Sequence, residues 1–302
     1  MPDKHIPLIM DIIDNIVSPD SRRRKYSDKQ ILKILILLQI FNISYRSSGI
    51  FLENHGEYME LIGITEIPSF QTISRRSRSY DLHAINMIIQ SMHPVNEIAA
   101  FDSFMIHTCK QLTAERRRKY RNYKDSLSGW LKTTKGWSYG RKCHMSIDVS
   151  LLINEWTVTK GNIHDSSVAH EMIDSVRNYR YILADSAYDT SEIYDYIFEN
   201  AHSLPVIDTN RRRGIINDRL TVNRRIGIEL RNEYSSMYSM RWEIERTFSI
   251  LEEIMGSENI WYVRNRNYDN IIGLKVIAYN LMVISNIELG DSRREIMKTV
   301  SC

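Results

Sequence analysis

Apolar positions recur every three or four residues along much of the chain, and the clearest case runs from Tyr238 to Glu252. Met237, Met240, Ile244, Phe248, Leu251 and Met255 fall, at about 100° per residue, within one arc of roughly 80°. That spacing predicts an amphipathic helix. Tyr238, Arg241, Glu245 and Glu252 occupy a second arc of about 60° beside the stripe rather than opposite it. Glu245 therefore stands at the margin of a core, where a merely solvating carboxylate would not be placed. On the helix alone the plainer reading is an ordinary amphipathic segment with charges at the water line.

The first ninety residues also read as helices. Leu8 to Val17 is a short one, ended by Ser18-Pro19. Ser27-Asp28-Lys29-Gln30 has the form of a capping box that opens a helix over Ile31 to Asn42. One further helix is expected from Ser47 to Leu61, with a break at Gly63. Pro68-Ser69 caps another, with Phe70 and Ile73 inward and Gln71, Ser74, Arg75 and Arg78 outward. Short helices closed by a basic, amide-bearing one fit a helix-turn-helix module, in which Arg75, Arg76 and Arg78 would grip DNA. A plain helical bundle fits almost as well.

After His93-Pro94 the pattern shifts toward period two. Glu97 to Thr108 predicts a buried strand interrupted by Asp102, and an acid there costs several kcal/mol unless paired or cation-bound. Cys143 to Val149 and Asn154 to Lys160 predict a hairpin, and a helix follows His164-Asp165-Ser166. Tyr181 to Asp185 is a short strand ending on an acid, Ser203 to Asp208 is a last strand, and Asp269 to Glu288 is a strongly apolar helix expected to cross the sheet. This order predicts an α/β fold, a mixed five-stranded sheet with flanking helices, behind an all-helical N-terminal region. The implied division is 1–93 helical, 94–290 catalytic with a basic loop at 110–142, and 291–302 as a tail.

Composition adds little until charge is mapped. The net charge is +3 over 302 residues, yet residues 110–142 hold eleven Lys or Arg against only Glu115 and Asp125, a surplus of nine. Further clusters stand at Arg22 to Lys25 and at Arg211 to Arg213 with Arg224 and Arg225. Together they point to a polyanion such as double-stranded DNA. Three scattered cysteines, Cys109, Cys143 and Cys302, suit a reducing compartment and lack zinc-ligand spacing. No signal peptide or membrane span is expected.

In such a sheet, acids on a central strand and at the end of its parallel neighbour converge. Asp102, Asp185 and a Glu on a covering helix would then lie within a few ångströms of one another, and would need a cation to stay ionised together. All-oxygen ligation favours Mg²⁺ or Mn²⁺. Two such ions about 4 Å apart suit phosphodiester cleavage.

Five blocks in order resemble the DDE transposases of bacterial and archaeal insertion sequences. They are Ala-Phe-Asp102-Ser, Lys135 to His144, Gly161-Asn-Ile-His-Asp165-Ser, Ala184-Asp185-Ser-Ala-Tyr-Asp-Thr190 and Arg241-Trp-Glu-Ile-Glu245-Arg-Thr-Phe248. Tyr238, Arg241 and Glu245 match one branch's Tyr, Arg, Glu, Lys spacing, with Glu252 standing at the Lys position. The resemblance implies a ribonuclease H-like core that cuts terminal inverted repeats and joins the freed 3′ hydroxyls to target DNA. It implies that Asp102 bridges two metals, with Asp185 and Glu245 each holding one, and that Tyr238 and Arg241 touch the phosphate backbone. It further implies a homodimer on DNA in the nucleoid-associated cytoplasm of a prokaryote. His164 and Asp165 are expected either behind the metal ligands or as helix caps. A ribonuclease H-like nuclease without strand transfer, and a catalytically dead DNA-binding relative, are the alternatives.

Overall fold

The computed structural model describes residues 4–17, 24–93, 96–120, 127–133, 136–210, 220–261 and 268–296. The chain forms two compact units: Met1–Met92 with Leu251–Ser257 and Arg266–Cys302, and His93–Ile250 with Glu258–Asn265.

The first unit is helical. It holds α1 (His5–Ile16), α2 (Asp28–Ile40), α3 (Ser48–Asn54), α4 (Gly56–Ile62), α5 (Phe70–Arg76), α6 (Leu82–Ser91) and, from the other end of the chain, α13 (Tyr268–Glu288). The capping box of α2 is formed: the Ser27 hydroxyl accepts from the Gln30 N–H at 3.1 Å, and the Gln30 amide oxygen accepts from the Ser27 N–H at 2.9 Å. The helix expected over Ser47 to Leu61 is broken at His55 into α3 and α4. Phe70, expected inward, is 39 % exposed, because α5 has only two turns and its buried side is taken by Ile73.

Helix α13, expected to cross the sheet, is grouped with the helical unit. It packs on α1, α2 and α6 within its own unit. Apolar residues on every side say that a helix is buried, not against what. By length and composition α13 could cross a membrane, but 89 % of its apolar window is buried in the protein. Polar groups are matched inside: Asn280 donates to Asn86 at 2.7 Å, and the Ser285 hydroxyl meets His5 Nδ1 at 3.2 Å. Buried Lys275 donates to the Met255 carbonyl, and burial lowers its pKa to about 8. The unfolded chain keeps that proton up to the ordinary lysine range, so stability should rise from pH 8 toward pH 10.5. In Lys275→Met that rise should disappear and the melting temperature at pH 7 should increase, as thermal denaturation at several pH values would show.

The second unit is a six-stranded mixed sheet flanked by helices. Strand β1 (Ile98–His107) is central, antiparallel to β3 (Gly136–Asp148) and parallel to β5 (Tyr181–Ala184), which is parallel to β6 (Leu204–Ile207). On the far side of β3 lie β4 (Ile153–Lys160) and β2 (Gly129–Thr133). Among the described residues the count is therefore six strands rather than five. The added strand β2 and helix α7 (Gln111–Tyr120) both lie in the segment read as a basic loop. Charge on α7 hides any apolar face, and five residues of β2 are too few to show a period.

Three glycines let backbones meet where β2, β3 and the end of β4 converge. A Cβ on Gly140 would stand 2.0 Å from the Ile106 carbonyl oxygen, and one on Gly161 would stand 2.6 Å from that of Gly140. Gly140 also pairs with Gly129. Helices α8 (Ala169–Asp174) and α9 (Ser191–Tyr196) cover one face through Phe101, Met172, Ile182, Tyr188 and Tyr194, and α10 (Val222–Glu233) packs on α9 and β6. Helix α12 (Trp242–Ser249) lies on the other face of β1, where Phe248 meets Phe104 with ring centroids 4.9 Å apart.

Candidate active site

Asp102 is the fifth residue of β1, opposite Met145 of β3. The parallel register pairs Ala99 with Ile182 and Ala100 with Leu183. Carried two residues further, it sets Asp102 beside Asp185, the first residue after β5. Strands about 4.8 Å apart bring the two carboxyls into the same neighbourhood. Asp185 turns the chain: its carboxylate accepts from the Ala187 N–H at 2.9 Å and caps the helical turn Ser186–Tyr188.

Glu245 arrives on α12. Its helix is less regular than the spacing predicts: α11 (Ser235–Tyr238) runs into a 3₁₀ turn at Ser239–Arg241, then α12, then a π turn at Ile250–Ile254. Ile244, Phe248, Leu251 and Met255 are buried, whereas Met240 is 44 % exposed. The 3₁₀ turn advances the residues before Trp242 by more than the helical angle, which rotates Met240 off the stripe.

Arg241 joins the acids. One guanidinium nitrogen donates to Asp102 Oδ2 and the other to Glu245 Oε1, each at 2.6 Å. Asp102 and Arg241 are 18 % and 16 % exposed, and Glu245 is 54 % exposed. Burial, and next the charge of Asp185, raise the pKa of Asp102 to about 7. Burial also raises that of Asp185.

The sequence reading expects the carboxylates of Asp102, Asp185 and Glu245 within a few ångströms of one another. Asp102 neighbours Asp185, and Glu245 reaches Asp102 through the Arg241 guanidinium. Among the described residues, no group of three His, Cys, Asp or Glu side chains is close enough to hold one metal ion. The donor chemistry nevertheless fits a hard divalent cation, since every candidate ligand is a carboxylate oxygen and the Asp102 carboxyl is held in a site that disfavours its own charge.

Tyr238 is half-buried, with the Arg231 guanidinium 3.7 Å from its ring centroid and that of Arg241 at 5.8 Å. His164 is exposed and caps a turn, its ring nitrogen accepting from the Ser166 N–H at 3.3 Å. Asp165 is not a cap but a hub. It accepts from the Ser103 hydroxyl at 2.7 Å and from Lys142 Nζ at 3.1 Å, with His144 Nδ1 at 3.4 Å.

Sequence reasoning missed Asp208. The β5–β6 register, continued one step past Ala184 and Ile207, sets it beside Asp185, and its carboxylate lies 3.6 Å from Arg231. An acid directly after each parallel strand was the available signal. Asp189 is buried in a bidentate pair with Arg224 at 2.9 and 2.8 Å. That pairing removes Arg224 from the basic cluster; Arg211 to Arg213 lie outside the described residues.

In the helical unit, Arg75 and Arg78 are exposed. Arg76 differs, because its guanidinium donates to Asp28 and to the Tyr26 carbonyl. Lys25 and Arg24 are likewise paired, with Glu66 and Asp28.

Residues 93–281 match the family model described as the transposase DDE domain. No curated protein matched the sequence. The mixed sheet and its helices fit the ribonuclease H-like core of such a domain, with β1 central and Asp102 at mid-strand. With well over half of its length matched, the chain belongs to the transposase DDE family and carries a transposase's function.

Proposed function

We propose that this protein cleaves the ends of a DNA element and joins the freed 3′ hydroxyls to target DNA, with Asp102, Asp185 and Glu245 as the metal-holding set. The observation that carries the reading is the Asp102 carboxylate, sunk in a central strand beside Asp185 and tied through Arg241 to Glu245. Asp102, Asp185 and Glu245 would hold the divalent cations, all three through carboxylate oxygens. Bound Mg²⁺ or Mn²⁺ supplies activation of the attacking oxygen and stabilisation of the leaving one. In cleavage a water oxygen bonds to phosphorus, its proton is released, and the 3′ oxygen departs. In joining, that 3′ hydroxyl attacks a target phosphodiester and one phosphodiester replaces another.

Arg241 and Tyr238 bind backbone phosphate beside the scissile bond, a role for which the planar guanidinium suits two oxygens at once. A homodimer brings the two element ends together. The matching test incubates the full chain with duplex oligonucleotides of the genomic ends flanking its gene, with and without Mg²⁺. Metal-dependent nicking at the repeat terminus followed by joined product is expected. Cleavage without joined product would instead make the protein a nuclease.

Arg75 of α5 and Arg78, in the 3₁₀ turn that follows it, grip DNA phosphate in the same reading. Neutralising both to Gln should weaken binding and flatten the log–log salt slope by about 2, at about 0.9 per phosphate contact. Arg76→Gln should instead lower the melting temperature, since it breaks a pair with Asp28 that is part-buried. Fluorescence anisotropy across a salt series, with thermal melts alongside, separates the two effects.

A further inference from the structure

On the face of β1 opposite Asp102 lies a buried polar cluster that the proposed chemistry does not use. Successive strand residues point to opposite faces, so Ser103 turns away from Asp102 toward Lys142, His144 and Asp165. Ser103 nonetheless serves both acids. Its backbone N–H donates to Asp102 Oδ1 at 2.8 Å, and its hydroxyl donates to Asp165 Oδ1 at 2.7 Å. The same Asp165 oxygen accepts from Lys142 Nζ at 3.1 Å, and Lys142 also donates to the Ile163 carbonyl at 3.1 Å. His144 Nδ1 stands 3.4 Å away, while His144 Nε2 meets the Thr159 hydroxyl at 2.9 Å.

The side chains of Lys142 and His144 are almost fully buried. An ammonium there is tolerated only with a partner, and Asp165 is that partner. Tyr188, whose hydroxyl is buried without a hydrogen-bond partner, lies against Phe101 two residues before Ser103. Ser103 is thus held from below by a carboxylate that cannot move without stranding a buried charge, and it holds Asp102 from above.

We propose that Asp165 is a positioning residue for the Asp102 carboxylate, acting through Ser103, with Lys142 as its counter-charge. This rests on Asp102 being a metal ligand. Ligating carboxylates are oriented by the groups hydrogen-bonded behind them, and loss of such a partner typically costs about 10–100-fold in metal affinity.

The test is Mn²⁺ binding by the full chain, followed by electron paramagnetic resonance, with anisotropy on element-end DNA in parallel. Asp165→Asn should weaken Mn²⁺ binding about tenfold and leave DNA affinity unchanged. Ser103→Ala should shift it in the same direction by less, and Ser103→Thr should restore it. Because Asp165→Asn strands Lys142, Asp165→Asn/Lys142→Met removes both charges and keeps the interior neutral. That double variant should melt near the wild type and still bind Mn²⁺ weakly. Wild-type Mn²⁺ affinity in both Asp165 variants, with Asp102→Asn abolishing binding, overturns this inference alone. Unchanged binding in Asp102→Asn overturns it together with the reading of the site.

Discussion

Asp102→Asn should reduce Mg²⁺-dependent cleavage at least about a thousandfold, equivalent to about 4 kcal/mol of transition-state stabilisation, while making the metal-free protein more stable. The two effects share one cause. Burial, and then Asp185, lift the Asp102 carboxyl to about 7, so the fold prefers it protonated, whereas the unfolded chain ionises it near pH 4. The group's contribution to stability is complete below that lower value and is lost as pH rises through about 7. The asparagine carries no charge to bury, so its advantage in melting temperature should be largest at pH 8 and small at pH 5. A site strained for function is expected to trade in this direction. Equal melting curves at both pH values, with cleavage intact, would remove Asp102 from the chemistry.

Glu245→Gln should abolish cleavage to a similar degree with binding to element ends nearly intact. Glu245 is half-exposed and takes one arm of the Arg241 fork, so the substitution disturbs no packed core. Arg241 keeps its bond to Asp102, and loss of one negative charge beside a phosphate backbone does not weaken DNA affinity. The informative contrast is Arg241→Gln. It should lose DNA affinity as well as cleavage, because one side chain meets the acids and, in the proposed reaction, the phosphate. Anisotropy and gel-based cleavage on the same oligonucleotides compare the two variants, and retained cleavage in Glu245→Gln would take Glu245 out of the site.

Particular residues show what the sequence could and could not reveal. Asp102 declared itself because an acid in the middle of an apolar strand needs a reason, and the order of strands after it set Asp185 on the neighbouring strand. Arg241 and Glu245 were legible as one helical turn, and their ion pair follows that spacing. Asp165 was expected either behind the metal ligands or as a helix cap, but its partners could not be named, because Ser103 and Lys142 are 62 and 23 residues away. Contacts of that range come from sheet register, not from local pattern. Helix α13 was correctly buried and wrongly partnered for the same reason: uniform apolarity carries no direction. Strand β2 was missed because its five residues, Gly129–Thr133, are too few to show a period.

The central claim is that Asp102, Asp185 and Glu245 hold divalent cations, and anomalous scattering from a crystal soaked in Mn²⁺ tests it most directly. Anomalous density is expected within coordination distance, about 2.0–2.1 Å for a small hard cation, of Asp102 and Asp185 oxygens, with the Arg241 guanidinium moved off the acids as Glu245 closes in. Density at some other cluster, with Arg241 still bridging Asp102 and Glu245, would contradict that claim.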